Sequence, residues 1–306
     1  MRLLAILSSV LAIASTPPGT PPAAPIPGFH PFRDARGGSV WEGIIPNTVV
    51  PQAWKTSLVY LPPGYSPQRR YPVFYVLHGL PGSPSSIPDG LQFGAIADEE
   101  IAAQAVRPFI AVMPPAGLPA RYTGEWTGVW ERYLVEDVVP WTDRHLATIP
   151  SAAARAIGGL SAGGYGAVDI GLRHPRLFGT LESWSGYYFP VRDGSLRDAP
   201  ANVLAAHDPR LLAARDAPLL RRLRRRFFVS CATTHDKLNA ARAISFARWL
   251  TELHLTHELY LRPGYHNGAF WRAQLPAALR YAFAPSSPAR SISPSTMPSE
   301  VRTSIS

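Results

Sequence analysis

Short runs of apolar residues recur along the central part of the chain and alternate with longer segments whose apolar residues have helical spacing. The short runs are rich in Val, Ile, Leu, Phe and Tyr, which is typical of strands. They occupy residues 40–45, 57–61, 73–77, 109–113, 154–157, 181–185, 227–231 and 258–261. This alternation predicts an α/β fold with a mostly parallel central sheet of about eight strands and helices on both faces. We expect the first two strands to pair antiparallel at one edge.

The two ends of the chain have a different pattern. Residues 1–14 comprise Met-Arg, an apolar stretch and a final Ala-Ile-Ala, as in a secretory signal peptide cleaved before Ser15; a retained N-terminal anchor is the alternative. Residues 15–38 are rich in Pro and predict a linker, and residues 285–306 are rich in Ser and Pro and predict a disordered tail. One domain over residues 39–284 remains, and we expect it to be secreted or to lie in the cell envelope.

Charge and composition narrow the possible partners. The chain has a formal net charge of +9 and a basic cluster formed by Arg221, Arg222, Arg224, Arg225 and Arg226. No aromatic residues alternate with these arginines, so the cluster indicates a solvated face with weak attraction to an anionic envelope surface, and no nucleic acid is expected. P-loop, H-E-x-x-H and Rossmann motifs are absent from the sequence, so we expect neither a cofactor nor a metal.

The most informative motif is Gly-Leu-Ser-Ala-Gly at residues 159–163, between an apolar strand and a helical segment at residues 162–173. A G-x-S-x-G sequence between strand and helix is typical of a sharp turn that exposes a nucleophilic serine, here Ser161. The flanking glycines keep side chains away from the point where the strand and helix backbones meet. The amide of Ala162 lies at the helix start, where it can donate to a developing oxyanion.

A nucleophilic serine requires a base and an acid that orients the base, and both follow later strands in this chain. Asp236 comes after the seventh predicted strand, just before a helical segment at residues 237–254. His266 comes after the eighth predicted strand, on a Gly-containing loop before the last helix, residues 269–283. Ser161, Asp236 and His266 are therefore the predicted catalytic residues, in the chain order that α/β-hydrolases use.

The choice of the acid has alternatives. Asp236 could be only the N-cap of the following helix, because Asp is a preferred capping residue. Glu258 or Glu252 would then be the acid, although Glu258 lies within a predicted strand and Glu252 within a predicted helix. Asp236 fits better because it lies on a loop at the end of a strand.

A second oxyanion donor is expected on the loop after the first long core strand, residues 73–77. That loop has the sequence His-Gly-Leu-Pro-Gly over residues 78–82. Pro81 has no N–H, so the donor must precede it, and the amide of Leu80 is the candidate. We expect His78 to be structural.

These motifs together resemble the esterase D / antigen 85 (mycolyltransferase) group of α/β-hydrolases. The resemblance runs from about residue 56 to residue 283, and it rests on residues 71–79, 130–140, 159–167, 174–179, 185–186 and 263–266 with Trp271. It implies the α/β-hydrolase fold, with Ser161 as nucleophile, His266 as base and Asp236 as acid. Many members of this group have Met after the serine, where this chain has Ala162.

A substrate pocket is expected beside these residues. The segment at residues 122–130 is aromatic and Gly-spaced, so it could wall an acyl or aryl pocket, and Trp126 is its best candidate. Tyr187, just beyond a strand end, is a second candidate. The sequence therefore predicts a secreted serine esterase that acts on a small-molecule or cell-envelope ester through an acyl-enzyme on Ser161. The alternatives are an acyltransferase that uses a sugar acceptor and a non-catalytic envelope-binding protein.

Overall fold

The computed structural model describes residues 25–34, 36–49, 56–117 and 126–285. Within those residues nine strands form one sheet: β1 (His30–Asp34), β2 (Ser39–Gly43), β3 (Ser57–Leu61), β4 (Val73–Leu77), β5 (Ile110–Met113), β6 (Arg155–Leu160), β7 (Thr180–Trp184), β8 (Arg226–Ala232) and β9 (Thr256–Arg262). The predicted signal peptide, the first part of the predicted linker and nearly all of the predicted tail lie outside the described residues.

The strand order is β1-β2-β3-β5-β4-β6-β7-β8-β9. The strands from β5 to β9 in this order pair in parallel, whereas β1, β2 and β3 pair antiparallel with their neighbours. The predicted α/β-hydrolase fold with a mostly parallel sheet is therefore confirmed, and so is the antiparallel pair near the N-terminus.

Strand β1 corrects the prediction that residues 15–38 are a linker. His30–Asp34 pairs with β2, so the folded domain begins before residue 39. The strand contains Pro31 and has an irregular register between Pro31 and Arg33. Because Pro cannot donate to a ladder, it is confined to edge strands, and its presence hid this strand in a Pro-rich segment.

Helices cover both faces of the sheet. They are α1 (Pro88–Leu91), α2 (Phe93–Ala102), α3 (Val129–Arg132), α4 (Val139–His145), α5 (Ala162–Arg173), α6 (Ala201–Ala205), α7 (Pro209–Arg222), α8 (Lys237–Glu252) and α9 (Gly268–Phe283). A π-helical segment, Tyr133–Val138, joins α3 to α4. None of the helices in the described part of the chain is long and apolar enough to cross a membrane.

The central strands are buried on both faces, which explains their almost continuous apolar sequence. In β4, Tyr75 belongs to the core on the side of α5, and Phe74 belongs to the core on the side of α9. Burial of one such side chain stabilises the fold by about 1.5–3 kcal/mol. The C-terminal ends of these parallel strands all lie at one edge of the sheet, here called the catalytic edge, where loops of different strands meet.

Candidate active site

Ser161 lies at the catalytic edge, in the turn between β6 and α5. Its backbone has φ 55° and ψ −118°, a conformation that is strained for a residue with a Cβ. The chain holds this conformation because the Ser161 amide donates to the Trp184 carbonyl at 2.8 Å. A Cβ added to Gly163 would lie 2.2 Å from the Leu77 oxygen, and one added to Gly159 would lie 2.4 Å from it. Only glycine at both positions allows the turn to approach β4 this closely.

The structure brings the three predicted catalytic side chains together. His266 Nε2 lies 3.0 Å from Ser161 Oγ, and His266 Nδ1 lies 2.7 Å from Asp236 Oδ2. The side chain of Asp236 is 8% exposed and that of His266 is 34% exposed. A buried acid, a half-buried base and a serine are thus connected by two hydrogen bonds, which is the geometry required for nucleophilic catalysis by serine.

The loops that carry the acid and the base are held together by the sheet. Strands β8 and β9 are parallel neighbours, and their last residues, Ala232 and Arg262, are in register. Beyond them, the amides of Thr234 and His235 both donate to the Gly264 carbonyl at 3.2 Å. Asp236 and His266, which follow these contacts, therefore start from fixed backbone positions.

The surroundings of Asp236 separate the two interpretations of this residue. It precedes α8, but its side chain makes no capping hydrogen bond to that helix. Its Oδ1 accepts a hydrogen bond from Asn239 at 2.8 Å, and its Oδ2 accepts one from His266 and a weaker one from the Cys231 thiol at 3.4 Å. Burial, together with the Asp236 charge, raises the pKa of Cys231 to about 12, so the thiol keeps the proton that it donates. Asp236 is therefore placed to orient His266.

The two predicted oxyanion donors flank Ser161. Ala162 is the first residue of α5, where backbone N–H groups have no partner within the helix. Leu80 lines the cavity above the serine. A Cβ added to the preceding residue, Gly79, would lie 3.2 Å from Ser161 Cβ, so this loop passes directly beside Ser161. The role of both amides as oxyanion donors stays a prediction.

His78 has the structural place expected of it. Its side chain is buried, Nε2 accepts from the Ala116 amide at 3.1 Å, and Nδ1 lies 2.8 Å from the Gly79 carbonyl. The first contact leaves the proton on Nδ1, which then donates to Gly79. Nδ1 therefore holds the loop that carries Leu80, and Nε2 connects His78 to the segment that follows β5.

A cavity of about 440 Å³ opens above Ser161. Most of its wall is apolar, and it is lined by Gly79, Leu80, Pro81, Ser86, Gly90, Leu91, Leu160, Ser161, His266, Gly268 and Trp271. The Trp271 ring stands edge-on to the His266 ring, with 5.0 Å between centroids. Trp271 is a pocket residue that the sequence patterns do not indicate. Its position five residues after His266, at the start of α9, is the signal that could have identified it.

Trp126 does not line this cavity, which corrects the pocket prediction. Its side chain is 0% exposed, its Nε1 donates to the His78 carbonyl at 3.0 Å, and its ring packs against that of His78. A buried indole N–H needs an acceptor, and here it is the backbone carbonyl of His78, at the start of the loop that carries Leu80. Trp126 therefore packs against His78 and holds its backbone carbonyl. Residues 122–125 of the predicted pocket segment lie outside the described residues.

Tyr187 also lies away from the wall of the cavity. It is half-buried and stacks on Tyr165, with 4.9 Å between ring centroids, and it does not appear among the cavity-lining residues. The Tyr187 ring is therefore held by packing against Tyr165 of α5. Its assignment to substrate binding is not supported by this structure.

The described residues contain no group of three or more His, Cys, Asp or Glu side chains that could hold a metal ion.

A mostly parallel sheet, a serine at a strand-to-helix turn, and an aspartate and histidine on two later loops define an α/β-hydrolase of the serine type. The chain belongs to the Esterase family, whose model, described as "Putative esterase", matches residues 53–282.

Individual relatives agree with this membership. The chain is 35% identical over 144 residues to an endo-1,4-beta-xylanase/feruloyl esterase of Xylanibacter ruminicola, a match that covers 43% of this chain and 19% of that protein. It is 30% identical over 154 residues to esterase Rv1288 of Mycobacterium tuberculosis, which covers 48% of this chain and 32% of that protein. The matches thus span about a fifth and about a third of these relatives' lengths.

Solved structures have the same fold. An S-formylglutathione hydrolase from Agrobacterium tumefaciens aligns with a TM-score of 0.67 at 17% identity, covering 83% of this chain and 98% of that chain. A ferulic acid esterase aligns with a TM-score of 0.66 at 22% identity, covering 74% of this chain and 91% of that chain.

Proposed function

We propose that this protein is a serine esterase that hydrolyses carboxylic esters through an acyl-enzyme on Ser161. The observation that carries the proposal is the connected set of side chains, in which Asp236 contacts His266 at 2.7 Å and His266 contacts Ser161 at 3.0 Å. Membership of the Esterase family supports it. The same side chains argue against a non-catalytic binding protein, because a scaffold role would not require them to meet.

The reaction would proceed in two halves. His266 Nε2 accepts the Ser161 proton while Oγ attacks the ester carbonyl, and the Ala162 and Leu80 amides donate to the oxyanion. The tetrahedral intermediate collapses, and the leaving alkoxide takes the proton from His266, which leaves the acyl group on Ser161. A water then gives its proton to His266 and attacks the acyl carbonyl, and a second collapse releases the acid and returns the proton to Ser161. Asp236 stabilises the imidazolium in both halves.

We further propose that the acyl group is short or aromatic and that water is the main acceptor. The cavity above Ser161 has about 440 Å³ and a largely apolar wall, and the residue after the nucleophile is the small Ala162. Transfer to a sugar hydroxyl is the alternative. The choice depends on which acceptor is oriented against the acyl-enzyme, since orientation can contribute roughly 7–11 kcal/mol to the barrier. Product analysis of an aryl ester with and without saturating trehalose tests this point: free acid should dominate, and predominant acyl-trehalose would contradict it.

We also propose that the protein works outside the cytoplasmic membrane and associates weakly with anionic envelope surfaces. The first part rests on the pattern of residues 1–14, and the second on the arginine cluster that includes Arg222 and Arg224, which are exposed. Expression in a secreting host should yield a protein that begins at Ser15, and an intact Met1 on a cytosolic product would contradict this.

The esterase proposal is tested by Ser161→Ala with a short-chain aryl ester as substrate. The variant should lose activity by several orders of magnitude, about 10⁶-fold at most, because the side chains act as a unit. Ser151→Ala is a matched control, since Ser151 is exposed and its side chain makes no capping bond. Activity that survives in a folded Ser161→Ala protein would overturn the proposal.

A further inference from the structure

An arginine stands at the rim of the cavity above Ser161. Arg272 lies in the second turn of α9, is exposed, and donates from Nη2 to the Gly90 carbonyl at 2.8 Å. Gly90 belongs to the wall of the cavity. Gly268 belongs to it too, and this residue lies one turn before Arg272 on the same face of α9. The guanidinium is therefore held at the edge of the space that a bound ester would occupy.

This guanidinium has N–H donors that the fold leaves to solvent. An arginine side chain has five such donors. Within the described residues, the contact with Gly90 is the one hydrogen bond that Arg272 makes, and Arg272 forms no ion pair with a carboxylate there. Asp89, next to Gly90, pairs with Arg33 at 2.9 Å instead. The charge of Arg272 and most of its donors are thus available to a bound molecule.

The cavity offers no charge that would compete with Arg272. Among the described residues that form its wall, His266 is the one with an ionisable side chain, and no carboxylate lines it. A negative group on a bound ester would therefore be attracted to Arg272 without being repelled by the wall. A guanidinium binds a carboxylate through two parallel hydrogen bonds, so the pair is directional as well as charged. The formal net charge of +9 also favours the approach of anions.

We propose that Arg272 is a specificity-determining residue that selects esters carrying a carboxylate group outside the scissile ester bond. The inference rests on the proposed esterase function and names the substrate class of the same site. The carboxylate belongs either to the acyl part or to the alcohol part of the ester, whichever extends towards α9. Arg272 acts on the binding of this group and does not touch the reacting atoms.

Two matched pairs of esters test the proposal. In the first pair, para-nitrophenyl hydrogen adipate and para-nitrophenyl methyl adipate differ by a charge on the acyl part. In the second, para-acetoxybenzoate and its methyl ester differ by a charge on the alcohol part. In at least one pair, Arg272→Gln should lower the ratio of kcat/KM for the charged ester to that for the neutral ester about fivefold, the effect of one partly exposed ion pair. Arg272→Glu should lower the ratio further, because like charges repel, and added salt should lower it in the wild type.

Arg248→Gln is the matched control for net charge. Arg248 is exposed on α8 and lies outside the cavity, and its substitution removes the same charge. It should leave both ratios unchanged. Glutamine at position 272 can still donate to the Gly90 carbonyl, so a role limited to holding α1 against α9 would not change the ratios either. The neutral ester of each pair measures the folded, active enzyme in every variant.

Two outcomes would overturn the proposal: Arg272→Gln keeps the wild-type ratio in both pairs, or Arg248→Gln lowers the ratio equally. A carboxylate on the acyl part and one on the alcohol part are distinguished by which pair responds. Failure of the proposed function gives a different result, since none of the four esters would then be hydrolysed by the wild type. Hydrolysis of the neutral esters with unchanged ratios would keep the esterase function and remove only this inference.

Discussion

Polar side chains at the catalytic edge have hydrogen-bond partners, whereas some buried polar side chains on the α9 side of the sheet do not. The predicted catalytic side chains are paired: Ser161 contacts His266, and both carboxylate oxygens of Asp236 accept hydrogen bonds. On the α9 side, the buried Glu182 has one carboxylate oxygen without a partner in the described part of the chain, and Gln274 has two such atoms. Pairing fixes the geometry of the predicted catalytic side chains, whereas the unpaired buried groups cost stability.

The largest effect on the predicted catalytic side chains should come from removing the negative charge of Asp236, which orients His266. Asp236→Asn should lower kcat roughly 10⁴-fold, because the amide favours the wrong tautomer of His266 and no longer stabilises its protonated form. Steady-state kinetics on an aryl ester measure this loss. Glu258→Gln and Glu252→Gln are the controls, and each should stay near the wild-type rate. The acid would be misassigned if Glu258→Gln lost activity and Asp236→Asn kept it.

The position of Ser161 depends on close backbone packing. Gly163→Ala places a Cβ 2.2 Å from the Leu77 oxygen, and neither backbone can move without disturbing the turn. We expect a loss of about 3 kcal/mol or more in the free energy of unfolding, measured by urea denaturation. Gly90→Ala is the glycine control, because a Cβ there meets no atom within 4 Å. Equal stability of the two variants would contradict the packing argument.

Trp271 belongs to both regions, since it lies on α9 and lines the catalytic cavity. Trp271→Ala should enlarge the acyl site and raise the ratio of kcat/KM for a long-chain ester to that for a short-chain ester about tenfold, since one methylene contact contributes about 1–3 kcal/mol. A chain-length series of aryl esters measures the ratio. Trp249→Ala, on α8 and outside the cavity, should leave it unchanged. An unchanged ratio in Trp271→Ala would exclude this ring from acyl selection.

The stability cost of an unpaired buried group is tested at Glu182. Burial raises the pKa of Glu182 well above its ordinary value, so the folded protein favours the protonated form. The stability that this proton provides is complete below the unfolded pKa of about 4.3 and is lost as the pH rises towards the folded pKa. In Glu182→Gln the amide oxygen can still accept from Trp184. The free energy of unfolding of this variant should therefore exceed that of the wild type by at least about 1 kcal/mol at neutral pH. It should also change less than that of the wild type as the pH rises from 4 to 8. Melting temperatures from pH 4 to 8 measure the difference, and parallel curves for the two proteins would contradict it.

The sequence predicts the parts of this molecule that follow from backbone constraints. A Gly-flanked serine between a strand and a helix has few structural alternatives, and the chain order of Asp236 and His266 after parallel strands brings them to the same edge. The fold class followed from the alternation of strands and helices. Strand β1 was missed because Pro31 and its Pro-rich neighbours mask a short edge strand.

The walls of the cavity were less predictable. They come from residues far apart in sequence, such as Leu91 and Trp271, whose meeting depends on how α1 packs against α9. Trp126 was misplaced because an aromatic residue in a Gly-containing segment fits a pocket and a packed support equally well. Only the acceptor for its N–H, the His78 carbonyl, distinguishes the two.

The central claim, that Ser161 is the acylated nucleophile, is tested most directly with a fluorophosphonate probe. Such probes phosphonylate a serine whose hydroxyl is activated by a neighbouring base. After labelling of the full-length protein, peptide mass spectrometry should locate one modification, on Ser161, and Ser161→Ala should take up none. Modification of a different serine, or none in a folded wild-type protein, would contradict the account.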